Sequence, residues 1–172
     1  MADVITGDDK WHQVALLLNQ AVADALLSAG SPTPERSGVV PGAIAWDDCT
    51  CGILATSWSM TFLTEVFPQE ANTMEGNCVA PEEASEFVIQ LIRCAPGADS
   101  NGKSPSVTDL TAAALLMATD GNIMERSASA ALCALKDNGR IWSYIVNRRT
   151  SQGPSGLCVG NELRVMVGLP RG

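Results

Sequence analysis

His12 is the only histidine, and it stands beside Trp11 with no serine or cysteine in a nucleophile-type setting nearby. A histidine-activated nucleophile is therefore not expected. Asp47-Asp48, with Glu65 or the Glu82-Glu83 pair, contains the two carboxylates that acid/base hydrolysis needs. Acidic pairs in turns are more often solvated surface or charge at a helix start, and that is the reading preferred for these. Cys49-Thr-Cys51 with Cys78 and Cys94 would offer zinc four sulfurs, but a Cys-x-Cys pair matches poorly the two paired clusters of structural zinc sites. The glycines at 153, 156 and 160 have the wrong spacing for a dinucleotide loop and precede a strand pattern rather than a helix. Arg148-Arg149, following Trp142 and Tyr144, is the one local basic pair, better suited to a subunit contact than to a phosphate. No catalytic set, metal or cofactor is expected.

Composition narrows the class further. The 172 residues are 46% apolar and 17% charged, which suits one globular domain spanning 1–172 with a core that needs neither metal nor disulfides. The six cysteines (Cys49, Cys51, Cys78, Cys94, Cys133, Cys158) are too few to demand a disulfide scaffold. Reduced thiols are expected, with a Cys78 or Cys94 bridge to the Cys49/Cys51 loop as the alternative. A net charge of −8 repels phosphate and anionic lipid, so nucleic acid is not the default partner. The charge is uneven: five basic against seventeen acidic side chains up to residue 135, then six against two from Lys136 onward. Opposite charge on different faces would let copies pack head to tail, as a closed ring requires. The N-terminus lacks a basic region followed by an apolar run, and the apolar windows at 14–18 and 128–135 are far below the ~20 residues that span a bilayer. A soluble, non-secreted protein is expected.

These residues must be positioned by elements that hydrophobic spacing predicts. Trp11, Val14, Ala15, Leu18, Val22, Ala25 and Leu26 mark an amphipathic helix from Asp9 to Ala29. Ser31-Pro-Thr-Pro stops it, and an irregular connection is expected as far as Pro41-Gly42. After Gly52 the period falls to two, giving a long strand with Leu54, Trp58, Met60, Phe62 and Val66 on its apolar side. Gln69 to Glu83 reads as a projecting loop, and Glu86 to Cys94 as a strand with Phe87, Ile89 and Leu91 on one side, paired antiparallel to the first. A long loop then leads to a second helix, capped at Ser104 or Ser106 and carrying Leu110, Ala113, Leu116, Met117, Ile123, Met124, Ala131 and Leu135, with a possible break at Gly121. Segments 140–148 and 158–169 alternate again, joined by a turn over 150–156 that puts Arg148-Arg149 at a hairpin tip. The expected fold is α+β, two helices packed on one face of a mostly antiparallel β-sheet.

Four strings carry a family resemblance: Pro41-Gly-Ala-Ile-Ala-Trp-Asp-Asp-Cys-Thr-Cys-Gly52, Phe67-Pro68, Ile92-Arg-Cys-Ala-Pro96, and Gly153-Pro-Ser-Gly-Leu-Cys-Val-Gly-Asn-Glu-Leu163. Together they resemble the tail terminators of long-tailed actinobacteriophages, over about residues 8 to 169. The resemblance implies a structural virion protein without a catalytic site, located in the tail and neck and assembled in the host bacterial cytoplasm. Its implied form is a homohexameric ring that caps the head-proximal end of the tail tube. The implied partners are the major tail tube protein and the head-to-tail stopper or connector, with no membrane. Genomic DNA would pass through an acidic lumen without sequence-specific binding. The alternatives are another ring protein of the phage neck and, further off, a small acid/base hydrolase. On this reading Gln69, Glu70, Glu75, Asn77, Glu82 and Glu83 of the first loop, and Arg148, Arg149 and Gln152 of the last hairpin, reach neighbouring subunits.

Overall fold

A computed structural model of the protein describes residues 9–43, 52–71, 82–98 and 100–169. The described chain runs α1 (Lys10–Ser28), β1 (Arg36–Val39), β2 (Ile53–Thr64), β3 (Glu82–Cys94), α2 (Val107–Asp137), β4 (Ser143–Ser155) and β5 (Cys158–Leu169). The five strands form one sheet in the order β1-β2-β3-β5-β4, parallel only between β1 and β2.

Both helices cover the same face. In β3 the alternation places Phe87, Ile89 and Leu91 on that face, opposite Val165, Leu163 and Asn161 of β5. These side chains join Val14, Leu18, Val22 and Leu26 of α1 and Met124, Ala128, Leu132 and Leu135 of α2 in one buried core. The fold is thus the α+β arrangement expected, with helix boundaries within a residue or two of the sequence reading. Ser106 caps α2: its Oγ accepts the Asp109 amide hydrogen at 3.1 Å, satisfying one of the free donors of the first turn.

Three local expectations are corrected. The stretch after α1 contains β1, a four-residue strand that aligns Arg36–Val39 with residues 53–56 of β2. It is too short to leave an alternation pattern, and Asn19 of α1 helps to hold it. The Asn19 Nδ2 donates to the Gly38 carbonyl (3.2 Å) and to Thr56 Oγ1 (3.3 Å), while Ser37 Oγ donates to its Oδ1 (2.8 Å). Second, β2 does not carry one continuous apolar stripe. Its register slips between Trp58 and Met60, so Leu54 and Trp58 face the helices whereas Met60 and Phe62 face the other side, opposite Glu86 and Ala84. A one-residue bulge inverts every side chain beyond it. Third, β4 continues to Ser155, and the hairpin turns tightly at Gly156 (φ +59°).

α2 is a single helix of 31 residues, about 46 Å long, with no division at Gly121. Gly121 serves instead as a crossing point: a Cβ there would lie 2.9 Å from Nε of Arg149. That approach lets Arg149 lie over the helix and donate from Nη1 to Asn122 Oδ1 (2.8 Å) and Glu125 Oε2 (3.3 Å).

Candidate functional site

Parts of the resemblance strings converge at one end of the sheet. Cys94 is the register partner of Cys158, and the Ala95 amide donates to the Leu157 carbonyl at 2.6 Å. Gly52, with φ +81°, lies against the Ile92 carbonyl, which a Cβ would approach to 2.6 Å. The ends of three strings, which together span more than a hundred residues of the chain, therefore meet there. Phe67-Pro68, a cis pair, lies elsewhere, and the Phe67 ring meets Trp142 edge-on at 5.2 Å between centroids. Trp142 in turn covers Gly168, where a Cβ would come within 2.5 Å of its indole.

On the helix side of the sheet, Arg93 and Asp120 form a buried ion pair, with side chains 9% and 0% exposed. Arg93 Nε donates to Asp120 Oδ2 at 2.9 Å, and its guanidinium also donates to Ser31 Oγ and the Pro32 carbonyl. Ser31 Oγ donates to Asp120 Oδ1 at 2.5 Å. Each carboxylate oxygen and each guanidinium nitrogen reached by these bonds has a protein partner, which is the condition under which a buried pair is tolerated. The pair ties the end of α1 to β3 and to the middle of α2. Close by, Asn161 Nδ2 donates to the Met117 carbonyl at 2.8 Å, fastening β5 to the same stretch of α2. The spacing of Asp120, Met124, Ala128 and Leu132, four residues apart on one buried stripe, was a legible sign that Asp120 points inward. Its partner could not be read from the same pattern.

On the face without helices, a polar row crosses all four antiparallel strands. Ser59 Oγ donates to Glu86 Oε1 (2.7 Å), Arg164 bridges Glu86 and Glu162 (2.8 Å to each), and Gln90 and Gln152 donate to Glu162 (3.0 and 3.3 Å). The bond to Glu162 and the two carboxylates beside it raise the Arg164 pKa, holding its charge more firmly than usual despite partial burial.

A third feature is a trough of about 470 Å³ between the second half of α2 and β4, lined by Arg126, Ser129, Ala130, Cys133, Tyr144 and Val146 among others. Desolvation first, and then the hydrogen bond with the Cys133 thiol, push the Tyr144 phenol above its ordinary value.

The sequence-predicted residues are scattered over this body. His12 is exposed and meets Trp58 edge-on at 6.3 Å. Gln69 and Glu70 are exposed in the turn after β2, and Gln69 bridges to Val66. Glu82 and Glu83 are not loop residues: they open β3, and Glu83 is ion-paired with Lys10 of α1. Arg148 and Arg149 lie within β4 at a register shift, away from the hairpin tip, because the strand runs on past them. Arg149 is spent on α2, Gln152 belongs to the polar row, and Arg148 is exposed. Asp47, Asp48, Cys49, Cys51, Glu75, Asn77 and Cys78 lie outside the described residues. Cys158 is disulfide-bonded, whereas Cys94 and Cys133 keep their thiols, so the expectation of reduced thiols fails at Cys158. Among the described residues no three His, Cys, Asp or Glu side chains are grouped so as to hold a metal ion, and no helix is long and apolar enough to cross a membrane.

No family model matches the chain, and no curated protein matches it in sequence.

Proposed function

We propose that this protein is a structural component of a phage virion: a tail terminator whose copies form a hexameric ring on the head-proximal end of the tail tube and join it to the head connector. The resemblance of the four strings is the basis of this reading. The single structural observation that favours it is what the described parts of those strings do. Arg93, Gly153 (φ +88°), Asn161 and Leu163 hold strands, turn and helix together. Strings with architectural roles suit a part that assembles with other parts. The −8 net charge suits a conduit that DNA traverses without sticking.

The decisive experiment is removal of the protein from the phage that encodes it. The expected result is DNA-filled heads beside unattached tails, some longer than normal, and loss of infectivity restored by the wild-type chain. Unattached tails of normal length would instead place the ring one tier higher, as a stopper or connector. Infectious particles of normal form would overturn the reading. Reversal of exposed Arg148 to Glu is expected to weaken ring assembly, with strong salt dependence, and to leave the thermal midpoint of the subunit unchanged.

A further inference from the structure

The first three turns of α2 bury no side chain, and among the described residues they are tied to the sheet through the Met117 carbonyl, which accepts from Asn161. None of the 13 residues from 107 to 119 is buried, although the segment is largely apolar, with Val107 79%, Leu110 47% and Leu115 69% exposed. A helix this short is marginal in water by itself, and propensity alone does not account for so many exposed aliphatic side chains. Its one charged residue, Asp109, is turned back on the Ser106 cap, whose Oγ donates to Asp109 Oδ2 at 2.6 Å.

We propose that this segment is a docking arm that seats in the trough between α2 and β4 of a second copy of the chain. The inference rests on the ring reading above and names the contact that builds the ring. The trough lies beside β4, an edge strand of the sheet, and is open to an incoming element. Its walls offer Ala130 and Val146 to aliphatic side chains. Charge favours a copy of the same chain. Arg149 is paired with Glu125, and Asp137 lies beside the Cys133 thiol at the other end of the trough, so Arg126 presents a positive charge at its own end, opposite in sign to the arm's Asp109. Elsewhere two copies of a −8 chain repel one another. The arm and the trough also cannot satisfy each other within one molecule. From Thr111 in the arm to Ser129 in the trough the rigid helix spans roughly 27 Å at 1.5 Å per residue. Two different patches on opposite parts of one body make a heterologous contact, the kind that closes into a ring when the rotation allows.

The trough contains its own probe, because the Cys133 thiol is exposed there. Leu110→Cys places a second thiol on the arm at an exposed position. Under mild oxidation of the full chain, Leu110→Cys is expected to give covalent multimers joined between residues 110 and 133. Mixing isotopically labelled and unlabelled chains should show by mass spectrometry that the joined peptides come from different molecules. The multimers should vanish when Cys133→Ser is added. In parallel, Leu115→Arg is expected to weaken self-association, followed by light scattering, at least tenfold while leaving the thermal midpoint of the dilute monomer unchanged. Multimers that form without a 110–133 link, and that Leu115→Arg does not disturb, would overturn the arm while leaving the ring reading intact. A chain that stays monomeric in solution and is absent from virions would overturn both. Cross-linking of residue 110 in particles to a different protein would overturn the choice of occupant.

Discussion

The two halves of α2 share one helix, one rise per residue and similar alanine content, yet the protein treats them differently. From Asp120 to Leu132 every fourth residue is buried, and Asp120, Met124, Ala128 and Leu132 are all fully inaccessible. Before Asp120 nothing is buried. The difference lies in what stands opposite. The second half runs over β5 and β4, whereas the first half extends past the point where Asn161 ties the helix to the sheet. Burial along a helix is therefore set by the length of the surface beneath it, and a helix longer than that surface exports the remainder of its apolar face to something else.

This contrast predicts a gradient of mutational effects. Asp120→Ala should be the most damaging, because it leaves the Arg93 guanidinium buried without its counter-charge. A loss of about 3 to 5 kcal/mol is expected in urea denaturation. The double variant Asp120→Leu with Arg93→Met should recover much of that, and a double variant as unstable as the single one would show that the hydrogen bonds to Ser31 and Pro32 matter more than the charges. Leu132→Ala, in the same buried row, should cost about 2 to 5 kcal/mol, depending on how far the core can relax into the space.

A smaller effect is expected from the trough wall. Tyr144 is the only tyrosine, so absorbance of the ionised phenol reports it alone. Its titration midpoint should lie above the ordinary value of 10.0, and Cys133→Ser should bring it part of the way back. A group whose folded pKa is raised stabilises the fold fully below the unfolded value and loses that contribution as pH rises through the folded one. Stability should accordingly fall on the alkaline side as the phenol ionises. A midpoint at or below 10.0 would mean that the trough wall is more open to solvent than the structure has it.

The smallest effect is expected in the arm. Leu115→Ala should change the stability of the dilute subunit by no more than about 0.5 kcal/mol, because the side chain is mostly exposed. Amide exchange should show the same ordering, fast in the arm of the dilute chain and slow from Asp120 to Leu135. A large loss at Leu115 would erase the distinction between the halves.

Much of the fold was legible because its signals are local. The α1 and α2 boundaries, a serine cap at 104 or 106 that the structure places at Ser106, the inward row Phe87, Ile89 and Leu91, and the row Leu163, Val165, Val167 and Leu169 all follow from patterns within one segment. The candidate surfaces were much less legible. Arg148-Arg149 looked like a hairpin tip because Gly153-Pro154 reads as a turn, yet the strand carries through that pair and turns only at Gly156. The apolar residues of the arm read as core, since spacing reports which way a helix face points and not whether a partner stands there.

The chain alone determined the number and kind of the main helices and strands, and which side of β3 and β5 would be apolar, because those properties are periodic over a few neighbouring residues. Only the tertiary structure decided that β1 joins the sheet, that the slip at Trp58/Met60 turns Met60 and Phe62 away from the helices, that Arg93 meets Asp120, and that α2 outruns the sheet. Each of these depends on a partner tens of residues away, and no local pattern encodes the position of a distant strand.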